Sequence, residues 1–158
     1  MILGTTSILQ RCVGVNPRMI SPFFIEKKIW DQGTGITLSY GLSYCGYDIR
    51  LRDAGRVTHD NFFLGSSLEY FNMPNDVVGV VHDKSTLARL GLAVQNTVIE
   101  PGWRGWLTLE ISYHGHSHDY LLLAGQPIAQ VIFHQIDQIT NGYEGKYQDQ
   151  SDEPVAAS

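Results

Sequence analysis

Short apolar runs, broken every few positions by Gly, Pro, Asn or Asp, recur along the chain, and few segments hold a helical period. That pattern predicts a mainly β protein, with strands over 47–52, 62–70, 77–82, 92–97, 107–113, 120–123 and 128–138. One short helix is predicted over 85–91, with Ser85 capping its first turn and Gly91 ending it. In 106–112 the alternation is regular: Leu107, Leu109 and Ile111 fall on one face, Trp106, Thr108, Glu110 and Ser112 on the other. Glu110 therefore points away from the aliphatic side. Residues 1–36 show no clear period and are cut by Pro17, Pro22, Gly33 and Gly35, which predicts an N-terminal arm of loops packed on the strands. The polar stretch 148–154 predicts a mobile C-terminal tail. Strand spacing favours a barrel or jelly roll over alternating βαβ units.

At 158 residues, 43% of them apolar or aromatic, the chain fits a single domain, 1–158, with a real core. A formal net charge of -5 argues against a general nucleic-acid binder, whose affinity comes largely from Lys and Arg neutralising phosphates. A local basic cluster is enough for a small anionic ligand. Cys12 and Cys45 are the only cysteines, and the start Met1-Ile2-Leu3-Gly4 lacks the charged and apolar regions of a secretory leader. The expectation is a reduced, cytoplasmic protein. No stretch reaches the roughly 20 apolar residues of a membrane helix.

Two segments carry candidate chemistry. Lys84-Ser85-Thr86-Leu87-Ala88-Arg89-Leu90-Gly91 gathers a cation, two hydroxyls and an Arg within six positions, a set of donors for anionic oxygens. Downstream, Glu100-Pro101-Gly102-Trp103-Arg104-Gly105-Trp106-Leu107-Thr108-Leu109-Glu110 sets a Pro-Gly turn ahead of a strand bearing a lone carboxylate. Taken singly, Glu110 is an ordinary surface acid, the first segment a helix start and Pro101-Gly102 a plain turn.

In this order and at this spacing, the two segments resemble the signature of dCTP deaminases, members of the trimeric dUTPase superfamily. Ser39-Tyr40-Gly41-Leu42-Ser43-Tyr44-Cys45-Gly46-Tyr47-Asp48-Ile49-Arg50-Leu51 and Tyr143-Glu144-Gly145-Lys146-Tyr147-Gln148-Asp149-Gln150 extend the likeness over roughly 37–150. The resemblance implies a dUTPase-like fold, a distorted jelly-roll or β-barrel, and hydrolysis of dCTP to dUTP and ammonia. It assigns Glu110 as general acid and base, Ser85 as a holder of the water, and Arg89 as the charge beside the reacting ring. Lys84, Ser85 and Thr86 would contact phosphates, and backbone carbonyls of Asn96, Thr97 and Val98 would complete the water and amino-group pocket. Glu100 and Trp103 would sit at the deoxyribose, while Tyr143, Lys146 and Gln150 would fold over the nucleotide as a lid formed by 143–158. It further implies a homotrimer with sites shared between subunits, Mg2+ arriving only with the triphosphate, no zinc, and dTTP as a possible inhibitor.

The chain departs from that family at three places. Residues 51–69 form a shorter segment, Tyr113 stands where the family usually has Asn, and His114-Gly115-His116-Ser117-His118 is unusual. The histidines alternate as metal ligands can, but Gly115 and Ser117 favour a solvated hairpin. The His-x-Glu and Pro-Cys-x-x-Cys pattern of zinc deaminases is missing. Two alternatives stay open: a dUTPase or bifunctional enzyme using Glu100 to activate water, and a nucleotide-binding module without catalysis.

Overall fold

The computed structural model describes residues 1–33, 35–95 and 97–157. The chain opens with helix α1 (Thr5–Cys12) and the short strands β1 (Ile20–Ser21) and β2 (Lys28–Trp30). Strands β3 (Leu38–Leu42), β4 (Tyr47–Arg50), β5 (Gly55–Thr58), β6 (Phe62–Asn72) and β7 (Val77–Asp83) lead to helix α2 (Ser85–Ala88). After it come β8 (Leu92–Val94), β9 (Val98–Ile99), β10 (Arg104–Tyr113), β11 (Asp119–Leu122) and β12 (Pro127–Gln135). The mainly β class read from the sequence is the observed one.

The strands form a four-stranded sheet, β1-β6-β10-β8, a six-stranded sheet, β2-β3-β4-β12-β7-β9, and a two-stranded ribbon, β11-β5. Every pairing is antiparallel. One core serves both large sheets. Phe71, Leu109 and Ile111 enter it from the first and Ile49, Val81, Val131 and Phe133 from the second, all fully buried. Each such side chain contributes about 1.5–3 kcal/mol on leaving water.

Several boundaries differ from the sequence reading. The predicted arm contains a helix, α1, because Ile8 and Cys12 stand four apart on one face and are both buried. The residues leading into it are moored by the Leu3 N–H donating to the Phe133 carbonyl at 2.8 Å. At two turns, that period is too short to stand out in a sequence. Helix α2 ends at Ala88, and Lys84, not Ser85, occupies its N-cap, with no side-chain cap. Gly91 does stop the turn, at φ +88°, and a Cβ there would lie 2.3 Å from the Gly115 nitrogen.

The predicted strand over 92–97 is two pieces because the chain changes sheets there. Gln95 N–H still donates to the Glu110 carbonyl in the first sheet, whereas the Thr97 carbonyl accepts from Val81 N–H in the second. A second irregularity lies opposite. Between the pairs Trp106↔Tyr70 and Thr108↔Ser66, residues 67–69 of β6 face Leu107 alone. Ser67 closes the gap: its hydroxyl accepts the Leu107 N–H at 2.9 Å and donates to the Glu69 carbonyl at 2.6 Å. The bend brings β6 against β4 and turns Glu69 wholly inside, where it meets Arg50.

Candidate functional site

The turn ahead of β10 is made as its residues require. Pro101 takes the second position, Gly102 the third at φ +77°, and Trp103 N–H returns to the Glu100 carbonyl at 3.1 Å. Any Cβ at Gly102 would come within 2.5 Å of the Gly142 Cα. This turn seats Trp103 in the protein, its indole N–H donating to the Tyr147 carbonyl at 2.7 Å.

Past the turn, β10 carries Glu110 into a cleft of about 330 Å³. Thr97, Val98, Ile99 and Glu100 line one side, Trp103, Leu107, Thr108 and Glu110 the floor, and Phe62 and Leu64 the β6 side. Tyr143, Tyr147, Gln150 and 155–157 of the tail form the remaining wall. The cleft is more apolar than polar, and Glu110 is half-buried in it. Burial there pushes its carboxyl above the ordinary range. A carboxyl so placed favours its protonated form more than an exposed one does, which suits a group that must accept and return a proton.

The second cleft lies at the end of β7, in the six-stranded sheet. Lys84, Ser85 and Thr86 line it together with Lys27, Ser39, Asp48, Asp83 and Gln130. Lys84 Nζ stands 2.9 Å from Asp48 Oδ2, and Asp83 Oδ1 accepts the Val94 N–H at 2.7 Å. The two clefts share no lining residue. Within one chain, then, the structure gathers Glu110 with Thr97, Val98, Glu100, Trp103, Tyr143 and Gln150, and sets Lys84, Ser85 and Thr86 apart. Arg89 is exposed and lines neither cleft. Lys146 lies over the Tyr147 ring at 4.8 Å and also lines neither. Asn96 falls outside the described residues.

Sequence reasoning missed several lining groups. Phe62, Leu64 and Leu107 looked like ordinary strand residues, and Asp48 looked like part of a barrel segment. Asp48 is 4% exposed, and a buried acid beside Lys84 is detectable only once β4 and β7 are brought together by β12. The tail, 143–157, runs back along β10. Asp149 N–H donates to the Arg104 carbonyl, Trp106 N–H donates to the Gln150 carbonyl, and Arg104 pairs with the Asp149 carboxylate. That pair holds the exposed Asp149 carboxyl below its usual range.

The histidine run lies in the connection between β10 and β11, which belong to different sheets, so the hairpin expected there is not formed. His114 Nε2 sits 3.0 Å from Ser112 Oγ, and the Tyr113 hydroxyl accepts the Ser117 N–H at 3.2 Å. Among the described residues, no three His, Cys, Asp or Glu side chains gather closely enough to hold a metal ion. Within the 51–69 segment, β5 pairs with β11, an element absent from the sequence reading. Among the described residues, no helix is long and apolar enough to cross a membrane.

Known proteins match this architecture and this sequence. The chain is 40% identical to a dCTP deaminase of Anaplasma phagocytophilum over 60% of its own length and 64% of that relative's. It is 35% identical to a dCTP deaminase of Campylobacter hominis over 84% of each chain. Among solved structures, a 2'-deoxycytidine 5'-triphosphate deaminase from Agrobacterium tumefaciens superposes with a TM-score of 0.60 at 15% identity, over 85% of this chain and 48% of that one. A dUTPase of EIAV gives a TM-score of 0.53 at 18% identity, over 76% and 92%. At such identities these two show the fold, which is dUTPase-like. A sequence model described as "dCTP deaminase-like" matches residues 48–136, from the strand bearing Asp48 through the one bearing Glu110 to the end of β12. Spanning more than half of the chain and joined by relatives matched over most of their length, that likeness means the chain belongs to the dCTP deaminase-like family.

Proposed function

We propose that this protein hydrolyses dCTP to dUTP and ammonia, with the pyrimidine in the first cleft and Glu110 moving the protons. The observation that carries this reading is a half-buried carboxylate, raised in pKa, on the floor of a mostly apolar cleft in a chain of this family. Glu110 takes a proton from water as the oxygen attacks C4 and passes it to N3; it then takes the C4 hydroxyl proton of the tetrahedral intermediate and delivers it to the departing amine, leaving the C4 carbonyl and ammonia. Zinc has no part in this scheme. The carbonyls of 96–99 hold the water and amino group, with Ser85 placing the water and Arg89 countering charge on the ring.

Glu100 and Trp103 flank the sugar. The second cleft suits the polyphosphate, with Lys84, Ser85 and Thr86 as donors. Mg2+ would come only as the companion of the triphosphate, offsetting its charge, with no protein ligand of its own assigned. Because the two clefts are separate in one chain, a complete site requires a neighbouring copy, which supports a homotrimer with shared sites. Tyr143, Lys146 and Gln150 close the nucleotide in as part of a lid, residues 143–158. A soluble, cytoplasmic enzyme of deoxynucleotide supply is the setting that fits, and dTTP, as an end product of that supply, is a candidate inhibitor.

Glu100 lines the same cleft as Glu110, which keeps a bifunctional enzyme as the second reading. The test is incubation with dCTP and, separately, dUTP in magnesium buffer, following ammonia, pyrophosphate and nucleotides together. Ammonia with accumulating dUTP supports the proposal; ammonia with dUMP and pyrophosphate supports the bifunctional form. Pyrophosphate from dUTP alone moves the chemistry to Glu100, and binding without turnover overturns both.

A further inference from the structure

β10 has one edge that its sheet leaves unoccupied. It pairs with β6 from Arg104 to Ser112, but with β8 only from Ile111 to Tyr113. Beside the first half of β10 the tail takes the place of a strand, with Gly105 bridging Gln150 in parallel register. This backbone contact ends at Gln150. Beyond it the tail passes the Glu110 cleft, where Arg52 pairs with the Asp152 carboxylate and Thr108 holds the segment on both sides of that pair. The Gln150 side-chain amide donates to the Thr108 hydroxyl oxygen, and the Val155 N–H donates to the same oxygen at 3.1 Å.

Thr108 is placed for this by its strand. It lies two residues before Glu110 on the same face, is 8% exposed, and lines the cleft with Glu110, Gln150 and Val155. The β6 irregularity opposite Leu107 sits immediately before it in the register. We infer that Thr108 is a positioning residue, whose hydroxyl oxygen clamps residues 150–157 over the Glu110 cleft before any ligand arrives. The clamp deepens the reading of this cleft as the nucleotide site and rests on that reading for its kinetic consequence. Its structural consequence is independent. A tail already in place spares the nucleotide the entropy of ordering it, so the clamp acts on substrate retention more than on the chemical step.

Two variants of the full-length protein test this. Thr108→Val keeps the shape and removes the acceptor, while Thr108→Ser keeps the acceptor. In nucleotide-free protein, loss of two ordinary hydrogen bonds predicts about tenfold faster amide exchange at Val155 in Thr108→Val. Exchange across Leu107–Glu110, whose amides do not bond to the tail, stays unchanged, and Thr108→Ser behaves as the parent does. In the presence of dCTP, KM rises in Thr108→Val by more than kcat falls, and Thr108→Ser restores it. Unchanged Val155 exchange in Thr108→Val overturns the clamp, and so does equal loosening in both variants, because packing by the methyl would then be the cause. If Val155 exchange responds as expected while dCTP is not turned over by the parent protein, the clamp stands and the assignment of the cleft falls.

Discussion

At the scale of single residues, burial decides behaviour more than residue type. Glu110 and Glu69 are both acids in strands, yet one lies on a cleft floor and the other is sealed inside the protein. Burial raises the pKa of Glu110, so between the ordinary carboxyl range and that raised value the folded state keeps a proton that the unfolded state has lost. Stability therefore falls as pH rises through that window. Glu110→Gln removes the penalty: its melting temperature exceeds that of the parent at neutral pH, and the difference vanishes near the ordinary carboxyl pKa, at about pH 4. The same variant abolishes ammonia release while dCTP binding remains measurable by calorimetry.

Glu69 is different. Its Oε1 accepts from Arg50 Nε at 2.8 Å, its Oε2 accepts from the Arg50 backbone N–H at 2.8 Å, and the guanidinium lies against the Phe24 and Tyr40 rings, 4.9 and 4.5 Å from their centroids. Burial pushes the Glu69 pKa up, against these partners, which pull it down. Glu69→Gln leaves a buried guanidinium uncompensated, and chemical denaturation should show a loss of about 3–5 kcal/mol. Cys12, whose thiol burial raises to about 12, is inert packing.

Elements place these residues, and the turn at Glu100-Pro101-Gly102-Trp103 is where one element depends most on a single position. Gly102 adopts a φ that other residues rarely tolerate, and a Cβ there meets backbone at Gly142 as well as the Asn75 side chain. Gly102→Ala therefore strains the turn and displaces 142–143 together. The expected result is a stability loss above the roughly 1 kcal/mol of an ordinary unfavourable Gly→Ala change, read by denaturant midpoint, with weaker nucleotide binding. The turn and the strand after it were legible in the sequence because each depends on local rules: Pro-Gly chemistry and alternation. Helix α1, β5 and the split of β8 from β9 were not. Their apolar positions are too few to make a period, and the register that creates them comes from Phe133, from β11 and from Gln95 and Thr97 bonding to different sheets.

At the scale of the whole molecule, the decisive feature is that the Glu110 cleft and the Ser85 cleft are separate and share no lining residue. If each complete site borrows one cleft from a neighbouring copy, Ser85→Ala and Glu110→Gln proteins, each inactive alone, regain about a quarter of parental turnover when unfolded and reassembled together in equal amounts, as random cyclic mixing requires. An inactive mixture whose copies have exchanged, verified by mass spectrometry, would place both clefts in independent roles.

The sequence by itself determined the mainly β class, the turn before β10, the face on which Glu110 lies and the two families of candidate site residues. Those follow from rules acting over a few residues, where side-chain direction alternates and turn geometry demands Pro and Gly. Only the tertiary structure decided that Lys84 meets Asp48, that Glu69 is buried against Arg50, that the tail closes on Thr108, and that Glu110 and Ser85 sit in separate clefts. These depend on strands distant in sequence becoming neighbours, and the burial that then shifts a pKa or completes a hydrogen bond has no trace in local pattern.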